Sequence, residues 1–227
     1  MGESMHIRGV VFDMDQTLYD RDASDAVVMG AYYDAHRSLF TVACTKEDAV
    51  RAMQKSDRAG GHFGWERSVD LLVGEGVCAR RPDVHAICTF FQEGFARYGV
   101  PYPETMDTLE ELHRMGLKVA LITNGNPVLQ RQKISHFGFD TVCDAIAIGG
   151  KPEKRVFLDM AETLGAKPGE LLYVGDHPLN DIQGSRDAGY VPVWIRTMPW
   201  DYPEVERAPW EIGNVSELPC LIRARFS

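Results

Sequence analysis

Val10-Val11-Phe12-Asp13-Met14-Asp15-Gln16-Thr17-Leu18 joins a short apolar run to a pair of carboxylates. The run reads as a buried strand that stops abruptly at Asp13. Side chains alternate along an extended chain, so Asp13 and Asp15 point the same way from a strand's C-terminal end. Two carboxylates so placed repel, which raises one pKa. A divalent cation, or a reaction that uses one of them protonated, removes the conflict. An EF-hand loop does not, because Leu18 stands where that loop needs Gly and Ser24 where it needs Glu. Spacing alone also suits a helix cap or a decorated turn.

The chain after residue 104 repeats the strand pattern. Apolar runs at 117–123, 144–148, 171–175 and 190–195 alternate with amphipathic stretches at 104–115, 127–137, 154–164 and 179–188. Gly116, Gly138, Gly165 and Gly189 sit where helix C-caps are expected. Alternation of this kind predicts an α/β fold, a Rossmann-like three-layer parallel sheet with both faces covered. Residues 21–100 break the rhythm, with helical stretches at 23–40, 46–56, 65–73 and 83–98 and no convincing strand. The expected organisation is a core of residues 1–20 and 101–227, with a helical cap of residues 21–100 inserted after the first strand. After Trp200 the tail is Pro-rich, with a last short element at 215–221.

Further polar groups fall at the other strand ends. Thr123-Asn124-Gly125 offers a hydroxyl, an amide and permissive backbone before a helix N-terminus, which suits a phosphate-holding turn. Asn126 before Pro127 would equally serve as a plain N-cap. Lys151, in Gly149-Gly150-Lys151-Pro152, is a cation at a helix start, where the dipole disfavours it, so an anion or carboxylate nearby is implied. In Gly175-Asp176-His177-Pro178-Leu179-Asn180-Asp181, Asp176 repeats the strand-end placement of Asp13. Asp181 is ambiguous between site and cap, and His177 reads as a turn residue. Open α/β sheets bind ligands at the carboxyl ends of their strands. One cleft would then collect Asp13, Thr123, Lys151 and Asp176, a hard-oxygen set that suits Mg²⁺.

Bulk properties bound the partners. A formal charge of −9 over 227 residues argues against binding a nucleic acid polymer. A small phosphorylated metabolite remains compatible, because local cations can reverse the field within one cleft. The five cysteines are scattered, with no C-x-x-C pair, and read as structural thiols of a reducing compartment. No signal segment or membrane-length apolar run is seen, and His6 spoils the myristoylation pattern. The expected setting is cytoplasmic, without a membrane, as monomer or homodimer.

Taken together, Asp13-Met14-Asp15-Gln16-Thr17-Leu18, Thr123-Asn124, Lys151 and Gly175-Asp176 with Asp181 resemble the four motifs of the haloacid dehalogenase superfamily, in its phosphatase branch with a helical C1 cap. The resemblance covers roughly residues 7–20 and 101–219 and carries no residue-level motif into the cap. It implies a Mg²⁺-dependent hydrolase of small phosphomonoesters. Asp13 would be the nucleophile, forming an aspartyl-phosphate, and Asp15 the acid and base. The metal would be held by the Asp13 carboxylate, the Asp15 backbone carbonyl and Asp176, with Asp181 through water or behind them. Thr123, Asn124 and Lys151 would hold the phosphoryl oxygens. Gln16 stands where the family most often has Gly.

Two alternatives stay open at this level. A phosphosugar mutase keeps both aspartates and would need a second cationic site in the cap, for which Arg58 and Arg67 are candidates. A non-catalytic regulatory or binding protein on the same fold belongs to a different class. Dehalogenation is disfavoured by Asp15, which that branch lacks. In the cap, the Gly60-Gly61 turn and His62, Phe63 and Trp65 form a candidate recognition loop, the two aromatic side chains serving either to stack on a flat substrate or to fill the cap core. The identity of the phosphomonoester is not encoded in these motifs.

Overall fold

The computed structural model describes residues 6–60, 65–200 and 204–226. The chain divides into two compact units, Met1–Asp20 with Pro101–Ser227, and Arg21–Val100.

The first unit is an α/β layer structure. Its strands are β1 (Gly9–Phe12), β2 (Lys118–Thr123), β3 (Ala145–Ile148), β4 (Leu171–Gly175), β5 (Val191–Ile195) and β6 (Trp210–Ile212), in the order β3-β2-β1-β4-β5-β6. Every neighbouring pair is parallel. The strand residues sort by parity, as a sheet buried on both faces requires. Val10, Phe12, Val119, Leu121, Leu172 and Val174 pack into one hydrophobic layer. Val11, Ala120, Ile122, Leu171 and Tyr173 pack into the other. Strand β6, only three residues long, lies in a stretch that carries no strand pattern in the sequence.

Helices of the second unit are α1 (Arg21–Ala35), α2 (Lys46–Gly60), α3 (Trp65–Gly74) and α4 (Val84–Tyr98). Their shared core is aromatic. Tyr32 stacks on Phe91 at 5.5 Å, and Trp65 stacks on Phe91 at 4.7 Å with the rings nearly parallel. Trp65 thus contributes to the packing of its own unit. His62, Phe63 and the side chain of Arg58 lie outside the described residues, and Arg67 is exposed.

Back in the first unit, α5 (Thr105–Arg114), α6 (Pro127–Phe137), α7 (Phe139–Val142), α8 (Lys154–Thr163), α9 (Gly184–Asp187) and α10 (Leu218–Arg225) complete the layers. The stretch 179–188, expected as one helix, is instead a π turn (Pro178–Gln183) followed by the single turn of α9. All four expected cap glycines, Gly116, Gly138, Gly165 and Gly189, have positive φ.

No helix among the described residues is long and apolar enough to cross a membrane. All five cysteines are free thiols. Burial pushes Cys143 up to about 12 and Cys78 to about 11, so neither is a nucleophile at neutral pH.

Candidate active site

Strand order reverses around β1, whose neighbours β2 and β4 lie on either side, and this is where an open parallel sheet has its crevice. The Asp13 amide still donates to the Val174 carbonyl at 2.9 Å, so the sheet fixes the first carboxylate directly. Both Asp13 and Asp176 are buried at the ends of adjacent strands, and Asp181, in the following π turn, is buried with them.

One ammonium serves two of these acids. Lys151 Nζ donates to Asp13 Oδ1 and Asp181 Oδ1, each at 2.6 Å. The anion inferred from the position of Lys151 is therefore this pair. Desolvation alone would lower the Lys151 pKa, but Asp13, Asp181 and Tyr173 hold it well above the ordinary value. Burial in turn pushes the Asp13 carboxyl well up, against the pull of Lys151, and Asp181, Asp176 and Asp15 add to the rise. Asp176 is pushed up to about 7, by burial first and by Asp181 second.

Each of these acids has a dedicated second contact. Thr17 Oγ1 donates to Asp13 Oδ2 at 3.4 Å, and Tyr173 Oη donates to Asp181 Oδ1 at 3.2 Å. The His177 amide donates to Asp181 Oδ2, while His177 Nδ1 accepts from the amides of Leu179 and Asn180 as the N-cap of the π turn. Trp200 Nε1 donates to Asp176 Oδ2 and Trp194 Nε1 to the Asp176 carbonyl, both at 2.9 Å. A Cβ on Gly175 would lie 2.5 Å from the Asp181 carboxyl, so only glycine lets Asp181 fold back over the strand end.

Asp13, Asp176 and Asp181 offer carboxylate oxygens all within 4.8 Å of one another. Three buried carboxylates against the one Lys151 ammonium leave an excess of negative charge out of water, which is costly unless it is neutralised. The raised pKa values of Asp13 and Asp176 express the same imbalance as proton uptake. A hard divalent cation fits this all-oxygen set by its chemistry.

Thr123 and Asn124 follow β2. Thr123 is fully buried, and its Oγ1 accepts from Gln130 Nε2 at 2.8 Å. Asn124 clamps the third motif: its Nδ2 donates to the Lys151 carbonyl at 2.9 Å, and its Oδ1 accepts from the Lys151 amide at 3.0 Å. Asn126 Oδ1 accepts from the amides of Val128 and Leu129, capping α6, with Pro127 at its first position.

Asp15, only partly buried, accepts at Oδ1 from Tyr19 Oη and from Lys133 Nζ, the latter at 2.9 Å, and at Oδ2 from Gln130 Nε2 at 2.8 Å. Sequence reasoning missed Tyr19, Gln130, Lys133, Trp194 and Trp200. Gln130 and Lys133 stand at i and i+3 of a polar-looking helix, where the ordinary reading is a solvated face. Gln16 has φ +61°, a left-handed conformation natural to glycine, which is the physical reason a glycine suits this position. It is buried, its Nε2 near Met198 Sδ at 3.2 Å and its Oε1 accepting from Tyr102 Oη at 3.3 Å.

A model of the haloacid dehalogenase-like hydrolase family matches residues 7–189. Glyceraldehyde 3-phosphate phosphatase of Methanopyrus kandleri is 33% identical over 84% of each chain. The enzyme of that name from Methanocaldococcus jannaschii is 30% identical over 96% of this chain and 97% of its own. N-acylneuraminate-9-phosphatase of Rattus norvegicus is 33% identical over 96% of this chain and 94% of its own. Among solved structures, magnesium-bound YfnB from Bacillus subtilis matches 96% of this chain and 99% of its own, with a TM-score of 0.78 at 20% identity. L-2-haloacid dehalogenase from Xanthobacter autotrophicus gives 0.71 at 19%, over 96% of this chain and 98% of its own. At such identities the two structures speak for the fold alone.

Proposed function

This chain belongs to the haloacid dehalogenase-like hydrolase family, and on that footing we propose that it hydrolyses a small phosphomonoester through an aspartyl-phosphate on Asp13. The observation that carries the reading is the set of three buried carboxylates around the Lys151 ammonium at one strand-end crevice, with Asp15 beside it. The names of its relatives, phosphatases of a triose phosphate and of a sugar-acid phosphate, support a small phosphorylated substrate.

An Asp13 oxygen attacks phosphorus as the ester P–O bond breaks, and Asp15 gives its proton to the departing alkoxide. Asp15 then takes a proton from water, whose oxygen attacks phosphorus and frees the Asp13 carboxylate and inorganic phosphate. Thr123 Oγ1, the Asn124 backbone N–H and Lys151 Nζ hold the phosphoryl oxygens as charge redistributes. Asp13, the Asp15 carbonyl and Asp176, with Asp181 behind them, would hold Mg²⁺, which when bound offsets the repulsion between nucleophile and phosphate. Residues 21–100 are read as the cap that selects the substrate, and the free thiols fit a cytoplasmic setting.

The test is hydrolysis of p-nitrophenyl phosphate with Mg²⁺ and with EDTA. Asp13→Asn should lose roughly three orders of magnitude or more in kcat while circular dichroism stays that of the parent. A wild-type rate from that variant would end the mechanism.

A further inference from the structure

We propose that Lys133 is a positioning residue of the reaction, holding the Asp15 carboxyl in register from α6 together with Gln130 and Tyr19. This rests on the reading of Asp15 as the proton carrier.

Lys133 and Gln130 are i and i+3 on α6 and therefore project from one face. Each takes a different oxygen of the same carboxylate: Lys133 Nζ donates to Oδ1 at 2.9 Å and Gln130 Nε2 to Oδ2 at 2.8 Å. Two oxygens fixed by one rigid helix define the plane of the carboxyl as well as its place. Tyr19 Oη closes a triangle, accepting from Lys133 Nζ at 2.7 Å and donating to Asp15 Oδ1. Lys133, Gln130 and Tyr19 are all buried, at 5%, 2% and 0% exposure.

The helix that carries them is pinned to the phosphate-holding turn. Asn126 caps it, and Gln130 Nε2 also donates to Thr123 Oγ1 at 2.8 Å and to the Asn124 carbonyl at 2.6 Å. Both hydrogens of that amide are thus committed, and the amide cannot flip without setting its oxygen against acceptors. Gln130 Oε1 is buried without a hydrogen-bond partner, a cost tolerated for the sake of the amide's orientation.

A purely structural role explains this poorly. A buried ion pair contributes little net stability compared with apolar side chains of similar volume, so stability alone gives no reason for an ammonium at this place. What the ammonium does add is a fixed direction for the group it touches. Proton delivery to a leaving oxygen is sensitive to that direction.

The experiment compares wild type with Lys133→Met, which keeps an unbranched apolar stem and removes the charged end, on two esters with Mg²⁺. Phenyl phosphate has a poor leaving group and needs the acid; p-nitrophenyl phosphate has a good one and needs it little. The expected result is a roughly 10- to 100-fold fall in kcat on phenyl phosphate, a much smaller fall on p-nitrophenyl phosphate, and KM within threefold for both. Lys133→Met added to Asp15→Asn should cost nothing further. Equal losses on both esters, or losses that multiply with those of Asp15→Asn, would overturn the proposal. If Asp15→Asn itself turns over phenyl phosphate like wild type, the role of Asp15 fails and the proposal with it. Should Lys133→Met not fold, Tyr19→Phe removes one donor at almost constant volume and must show the same leaving-group signature in milder form; its absence counts against the proposal.

Discussion

At the scale of single residues, the carboxylates are held by neighbours chosen for direction. Trp200 donates its indole N–H to Asp176 Oδ2, and a buried indole nitrogen usually has such a partner. Groups behind a metal ligand fix its orientation and typically change metal affinity by 10- to 100-fold. On the proposed role of Asp176 as a Mg²⁺ ligand, Trp200→Phe, which keeps an aromatic ring and deletes the donor, should weaken Mg²⁺ binding about 10-fold or more by isothermal titration calorimetry, with little change in thermal midpoint. Unchanged affinity would mean the indole only packs. Asp13 and Asp176 stood out in the sequence because a carboxylate at the end of an apolar run conflicts with its surroundings, whereas Asp181, five residues further on, was ambiguous between site and cap. Trp200 did not stand out, because it reaches Asp176 from 24 positions away, out of a Pro-rich segment with no periodicity.

Between elements, the Asn124 side-chain amide ties the loop after β2 to the loop after β3. Asn124 pairs with both the N–H and the C=O of Lys151, which sets the height at which that lysine enters the site. Asn124→Ala leaves two partly buried backbone groups of Lys151 wanting partners, at a cost of up to about 1–3 kcal/mol each. Its kcat should fall at least 10-fold, and its urea midpoint should drop in an equilibrium unfolding series. A second tie, at the other end of β2, is electrostatic. Partial burial raises the Asp144 carboxyl, but the Lys118 ammonium at 2.7 Å and the Val119 amide at 2.9 Å hold it below its ordinary value overall. A lowered folded-state pKa stabilises above the unfolded value of about 3.9 and is lost as pH falls through the folded one. The stability gap between wild type and Asp144→Asn should therefore be full at neutral pH and close progressively below about pH 4 in urea titrations. Most strands and helices were legible from their periods. Strand β6 was not, because three residues show no alternation, and Gln130 and Lys133 on α6 gave no signal because i,i+3 spacing reveals a shared face without saying what it faces.

For the molecule as a whole, the chain divides into two compact units, the second being Arg21–Val100 and the first the remainder. Within the first unit, Tyr19 pairs with Pro101 as an antiparallel bridge, so the two ends left by the helical unit are adjacent. Within the second, the Val100 amide donates to Ser24 Oγ at 2.8 Å, which brings its own ends together. A chain with residues 21–100 replaced by a short Gly/Ser linker should fold cooperatively, since closing so short a gap costs little entropy. Loss of the far-ultraviolet dichroism of the α/β layers would show instead that the units depend on each other. One feature of the site has a use beyond chemistry. Two of the four indoles in the chain end on Asp176, one at its carbonyl and one at its carboxylate. Their emission should register the state of that aspartate, giving the protein an intrinsic optical probe of what its carboxylates hold.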